Sequence, residues 1–163
     1  MKRLFALAPR LRAVADMLRA RSMCDVGCDH AMLPVWLAAT GRIDRAAACD
    51  IAPGPLAAAR RKIDAWSLGG VVETRLGNGL RAVAPGEFEE CVIAGMGGLN
   101  IIEILEAAPE TARAFSGIVL VPHRDWDRVA EWAAVNGRIV TAAARVIEGK
   151  KIYNILRIEN SIQ

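Results

Sequence analysis

Four short runs each carry glycine or an acid. They are Asp25-Val26-Gly27-Cys28-Asp29-His30, Cys49-Asp50-Ile51, Gly77-Asn78-Gly79 and Ala94-Gly95-Met96-Gly97-Gly98. Gly27 permits a tight turn and close approach of a ligand to the backbone. Asp50 follows 23 positions later. A carboxylate at about that offset, at the end of the next strand, accepts hydrogen bonds from ribose hydroxyls. The pair therefore points to an adenosine-containing ligand. Asn78 can accept from an adenine amino group and donate to a ring nitrogen; it can equally be a turn residue between two glycines. Three glycines within Gly95-Met96-Gly97-Gly98 exceed what one strand-to-helix turn requires, which favours a backbone that something must approach closely.

These runs matter because of the elements that carry them. Short apolar segments end at each one: Ser22–Val26, Arg45–Cys49, Val71–Leu76 and Glu90–Ala94, with a fifth at Gly117–Val121. Helical patterns alternate with them. Leu11, Val14, Ala15 and Leu18 have amphipathic spacing within Arg10–Arg19. Ala31–Thr40, Pro55–Trp66 and Leu99–Ala107 are further helices, the last ended by Pro109, and Asp125–Val135 opens on Asp125 as an expected N-cap. Arg138–Ile147 and Lys151–Ile158 flank Glu148-Gly149-Lys150, a hairpin signal. Repeated strand–helix units closed by a hairpin predict an α/β, doubly wound, mostly parallel sheet with one antiparallel strand. In such a sheet ligands sit at the carboxyl ends of the strands, near the topological switch point, and that is where all four runs fall.

The choice of adenosine ligand follows from charge. A dinucleotide site uses G-x-G-x-x-G, but positions 27, 29 and 32 are Gly, Asp and Met. An acid at 29 stands where a pyrophosphate needs backbone amides and repels it. S-adenosyl-L-methionine carries a sulfonium and an amino group instead, both compatible with Asp25, Asp29 and Asp50. A nicotinamide-dependent oxidoreductase is the enzyme alternative; a domain that binds the ligand or RNA without turnover is the non-enzyme one.

The 163 residues suit one domain, 1–163. The net charge of +3 is too small to imply nucleic acid by itself, but its distribution is uneven. In the N-terminal helical segment 1–21, Lys2, Arg3, Arg10, Arg12, Arg19 and Arg21 face one acid, Asp16. That basic segment is suited to phosphates. No apolar run approaches the about 20 residues that span a bilayer, so no membrane association is expected. Cys24, Cys28, Cys49 and Cys91 form no C-x-x-C pair, and three of them fall in buried strands, a usage that fits a reducing cytoplasm. His30 and His123, the two histidines, lack a second ligand at useful spacing, so no metal is expected.

The stretches PRLRAVADML, DVGCDHAMLPVWLAATGRIDRAAACDI, RLGNGL and VIAGMGG, nearly the whole chain, resemble the bacterial tRNA (adenine-N1) methyltransferase family. The runs Gly27–Pro34 and Ala94–Gly98 are the most specific pieces. The resemblance implies a Rossmann-like class I methyltransferase with a seven-stranded sheet. Its cofactor is S-adenosyl-L-methionine and its partner tRNA, modified at adenine 22. It matches Asp25, Gly27, Cys28, Asp29 and His30 to the first cofactor motif, Asp50 and Ile51 to the ribose acid and its neighbour, Gly77, Asn78 and Gly79 to the adenine side, and Ala94, Gly95, Met96 and Gly97 to the loop by the target base. Asp29 is the catalytic candidate: the methylated base gains positive charge, and a carboxylate aimed at its amino edge stabilises it. The chain departs from the family at Asn78, where Asp is usual, and at Val121-Pro122-His123, where Gln-Pro is frequent. The family's C-terminal coiled coil has no counterpart in these residues.

Overall fold

The computed structural model describes residues 2–162. Strands β1 (Ser22–Val26), β2 (Arg45–Asp50), β3 (Val72–Leu76), β4 (Glu90–Met96), β5 (Gly117–Pro122), β6 (Arg138–Glu148) and β7 (Lys151–Asn160) form one sheet in the order β3-β2-β1-β4-β5-β7-β6. β1 to β5 are mutually parallel; β7 runs antiparallel to both β5 and β6. The order reverses beside β1, which pairs with β2 on one side and β4 on the other. At that switch point the loops leaving β1 and β4 diverge to opposite faces, and a cleft opens between them.

Helices α1 (Pro9–Met17), α2 (Met32–Ala39) and α3 (Pro53–Ala65) cover one face; α4 (Gly98–Ala107), α5 (Pro109–Ala114) and α6 (Trp126–Val135) cover the other. Side chains alternate across a strand. Met23 joins the first core and Cys24 and Val26 the second; Ala46 and Ala48 join the first, Ala47 and Cys49 the second. This two-sided burial explains why the strands read as nearly continuous apolar runs. All four cysteines are buried as free thiols.

Three local details depart from expectation. Pro109 does not merely stop α4; it opens the six-residue α5, because its fixed φ suits a first helical position. Asp125 occupies the N-cap position of α6 but has φ 56° and makes no side-chain cap. β4 runs two residues beyond Ala94, to Met96, with an irregularity between them that aims Gly95 outward.

At the foot of the sheet, buried Glu90 and Arg157 pair at 2.6 Å. The second Glu90 oxygen accepts from the Arg19 and Ala20 amides, tying the segment after α1 to β4. Removing one partner of such a buried pair costs about 3–5 kcal/mol.

Candidate active site

Two clefts of about 450 Å³ each open at the carboxyl ends of the strands, sharing Gly27, Asp50 and Met96 as a common wall. The first lies over β2 and β3 and is lined by Gly27, Asp50, Ile51, Gly77, Asn78, Gly79 and Met96, together with Arg81, Asn100, Glu103 and Ile104. The second lies toward β5 and β7. It is lined by Gly27, Asp29, Asp50, Ala94, Gly95 and Met96, together with Arg10, Leu11, His123, Lys151 and Tyr153. A smaller pocket of about 100 Å³ reaches inward to Asp25, Cys28 and Asp29. Twelve of the residues singled out above therefore converge here: Asp25, Gly27, Cys28, Asp29, Asp50, Ile51, Gly77, Asn78, Gly79, Ala94, Gly95 and Met96. His30 and Gly97 line none of these spaces. His30 is exposed with Nε2 3.5 Å from Asp29, and Gly97 caps α4 beside Arg124.

Backbone bonds hold the loops in place. The Gly27 and Cys28 amides both donate to the Cys49 carbonyl at 3.0 Å, and the Gly77 amide donates to the Asp50 carbonyl at 3.0 Å. Gly27 has φ +74°, and a Cβ there would stand 3.2 Å from both the Ala94 carbonyl and the Met96 methyl. Glycine thus keeps the junction of the two clefts open. Asp50 is oriented by its own turn, with Oδ1 accepting from the Ala52 amide at 3.0 Å. Its other oxygen has no protein partner among the described residues.

Asp25, Asp29 and Asp50 form an acidic cluster. Burial, then the charges of Asp50 and Asp29, push the Asp25 carboxyl up to about 7. Burial pushes the Cys28 thiol up to about 12 and the Cys49 and Cys91 thiols upward as well. These cysteines stay protonated and are poor nucleophiles. Asp29 has φ 53° and a side chain 79% exposed at the cleft mouth, and no capping bond joins it to α2. Among the described residues no group of three or more His, Cys, Asp or Glu could hold a metal, and no helix is long and apolar enough to cross a membrane.

The Asp25 environment has a measurable consequence. The folded chain holds this proton more tightly than the unfolded chain, whose carboxyl titrates near 3.8. The stability it contributes is complete below about pH 4, declines as pH rises, and is gone above about 7. Asp25→Asn is expected to melt at the parent's temperature near pH 4 and about 5 °C or more above it at pH 8. Equal melting curves at pH 8 would show that Asp25 is not held protonated.

The basic N-terminal segment is less available than its composition implies. Arg10 pairs with Glu148, Arg12 with Asp16, Arg19 with Glu159 and Arg21 with Asp44. Two of these partners lie some 140 positions away in sequence. Among the described residues, the cations without an ion-pair partner near the clefts are Arg81, Arg124, Lys150 and Lys151. Sequence reasoning missed these as cleft residues, along with Tyr153 on the second cleft and Asn100 and Glu103 on the first; it named Arg10 only in the basic segment and His123 only as a histidine and a departure from the family. Asn100 and Glu103 did leave a signal: an i, i+3 pair on the helix that the Gly95–Gly98 run opens.

A sheet of this order, with an acidic, glycine-lined double cleft at its switch point, defines the Rossmann-like methyltransferase class. Residues 7–156 match the family model described as a methyltransferase domain. The chain is 30% identical over 154 residues to the tRNA (adenine(22)-N(1))-methyltransferase of Bacillus subtilis strain 168, covering 94% of this chain and 65% of that protein. The chain thus spans about two-thirds of this relative's length. The crystal structure of the B. subtilis tRNA methyltransferase TrmK superposes with a TM-score of 0.90 at 30% identity, covering 96% of this chain and 67% of that one. TrmK of M. capricolum, solved with S-adenosyl-homocysteine, superposes at 0.87 with 27% identity, over 94% and 69%. The chain belongs to the bacterial tRNA (adenine-N1) methyltransferase family.

Proposed function

We propose that residues 1–163 act as one S-adenosyl-L-methionine-dependent methyltransferase domain that modifies N1 of an adenine in tRNA, in the cytoplasm. The observation that carries this reading is the pair of clefts joined at Gly27 and Met96 with the Asp50 carboxylate on their shared wall. One cleft suits the nucleoside of the donor, and the other admits its methionine end and the acceptor base. The donor supplies an electrophilic methyl on a sulfonium sulfur. Asp50 accepts from the ribose hydroxyls through its free oxygen, Asn78 faces the adenine, and Asp25 faces the amino group. The open backbone at Gly27 and Gly95 lets donor and acceptor approach. Adenine N1 attacks through its own lone pair, so these residues need supply no strong base; their task is near-attack geometry. Asp29 stabilises the charge that grows on the base. The acidic cluster disfavours a pyrophosphate, and with it a nicotinamide dinucleotide.

Calorimetry separates these ligands. S-adenosylmethionine and S-adenosylhomocysteine are expected to bind and a nicotinamide dinucleotide not to; the reverse pattern would overturn the reading.

The unpaired cations support RNA as acceptor. Arg81 follows β3 and lines the first cleft, Lys151 opens β7 and lines the second, Lys150 lies in the β6–β7 turn beside it, and Arg124 follows β5 next to His123. Replacing all four with Gln is expected to weaken tRNA binding at least about tenfold and to flatten its salt dependence by about one unit of slope per lost phosphate contact. The pair Arg12→Gln and Arg19→Gln, already neutralised by Asp16 and Glu159, is expected to change both far less. Equal effects from the two sets, read by filter binding across a salt series, would return the docking surface to α1.

A further inference from the structure

We infer that His123 is the positioning residue for the acceptor base, stacking its imidazole on the target ring; the inference rests on the methyl-transfer reading above. His123 follows β5 directly, and its amide donates to the Met96 carbonyl at 2.9 Å. Met96 belongs to the wall that the two clefts share. The histidine is thereby tied to the junction where donor and acceptor must meet. The next turn is fastened too, since the Gly98 amide donates to the Arg124 carbonyl at 2.9 Å. A flat ring held on such a braced loop can set the angle of an incoming base.

The side chain itself is uncommitted. It is exposed in the second cleft and takes part in no hydrogen bond or ion pair among the described residues. Its aromatic neighbour among the described residues is the buried Tyr153, with ring centroids 6.4 Å apart and planes tilted by 53°. The Tyr153 ring also carries the Arg10 guanidinium, 5.2 Å from its centroid, and Glu148 holds that guanidinium at 2.5 Å. This series of contacts supports His123 from beneath and leaves the imidazole facing the cleft. An exposed aromatic ring at the edge of a cleft beside unpaired cations is the arrangement that holds an unstacked base while phosphates are held nearby.

The test compares the parent chain with His123→Ala and His123→Phe. Cofactor affinity and melting temperature are expected to match the parent in both variants, because this side chain is not among the groups that face the donor and lies outside both apolar cores. Turnover on tRNA is expected to fall about tenfold to a hundredfold in His123→Ala, the loss that removal of one base-stacking ring produces. The loss should fall on kcat more than on KM, since phosphate contacts elsewhere dominate tRNA affinity. His123→Phe restores the stacking surface and should recover most of the rate. A His123→Ala chain within twofold of an active parent overturns the inference. So does a loss that His123→Phe fails to restore, or one that is matched by weaker cofactor binding. A parent that binds the donor yet methylates no RNA overturns the acceptor reading itself, and this inference with it.

Discussion

Asp50→Ala is expected to lose S-adenosylmethionine affinity about tenfold to a hundredfold while melting close to the parent temperature. The carboxylate is half-buried on the wall common to both clefts and is pre-oriented by the Ala52 amide. A hydrogen bond to a charged group is worth about 1.5–3 kcal/mol, which is that range of affinity. The fold should tolerate the change because Asp50 lies at the end of β2, outside both apolar cores, and its ladder bonds to β3 are made by backbone. Calorimetry with the parent and variant checks the affinity, and thermal unfolding checks the fold. Normal binding by Asp50→Ala would remove this residue from the ligand.

Asp29→Asn is expected to bind the donor almost normally and to lose turnover by about a hundredfold or more. That loss is the scale reached when one preorganised electrostatic group is removed from a developing charge. A helix-capping role for Asp29 has no support in the structure, since α2 opens at Met32 with no side-chain cap and Asp29 stands exposed at the mouth of the second cleft. Two roles remain, and they separate in one experiment. If Asp29 holds the amino group of the donor, affinity and rate fall together. If it serves the base, the rate falls alone. The variant retains shape and loses charge, so a nearly full rate in Asp29→Asn would contradict both.

How much of this was legible in the sequence depends on the range of the interactions. Gly27, Asp50, Asn78 and Gly95 could be read because strand ends are local events, and turn chemistry marks them within a few residues. The strands could be read because they are nearly continuous apolar runs, although such a run does not report which side chain enters which core. The pairing of Arg10 with Glu148 and of Arg19 with Glu159 could not. Those contacts exist because the antiparallel hairpin returns beside α1, and no local pattern reports a partner some 140 positions away. The basic segment consequently looked free when it is largely neutralised. His123 and Tyr153 were hidden by the same geometry: they become neighbours only when β7 is laid antiparallel against β5. Pro109 was misjudged locally, because a proline two residues past a helix end is also a proline at the first position of the next helix.

The central claim is methyl transfer to adenine N1, and the transferred label tests it most directly. The chain is incubated with methyl-labelled S-adenosylmethionine and unmodified tRNA, and the RNA is digested to nucleosides and resolved. The account predicts label in N1-methyladenosine, with little or none when Asp29→Asn replaces the parent. Label in a different nucleoside, or a chain that binds the donor and transfers nothing, would contradict it.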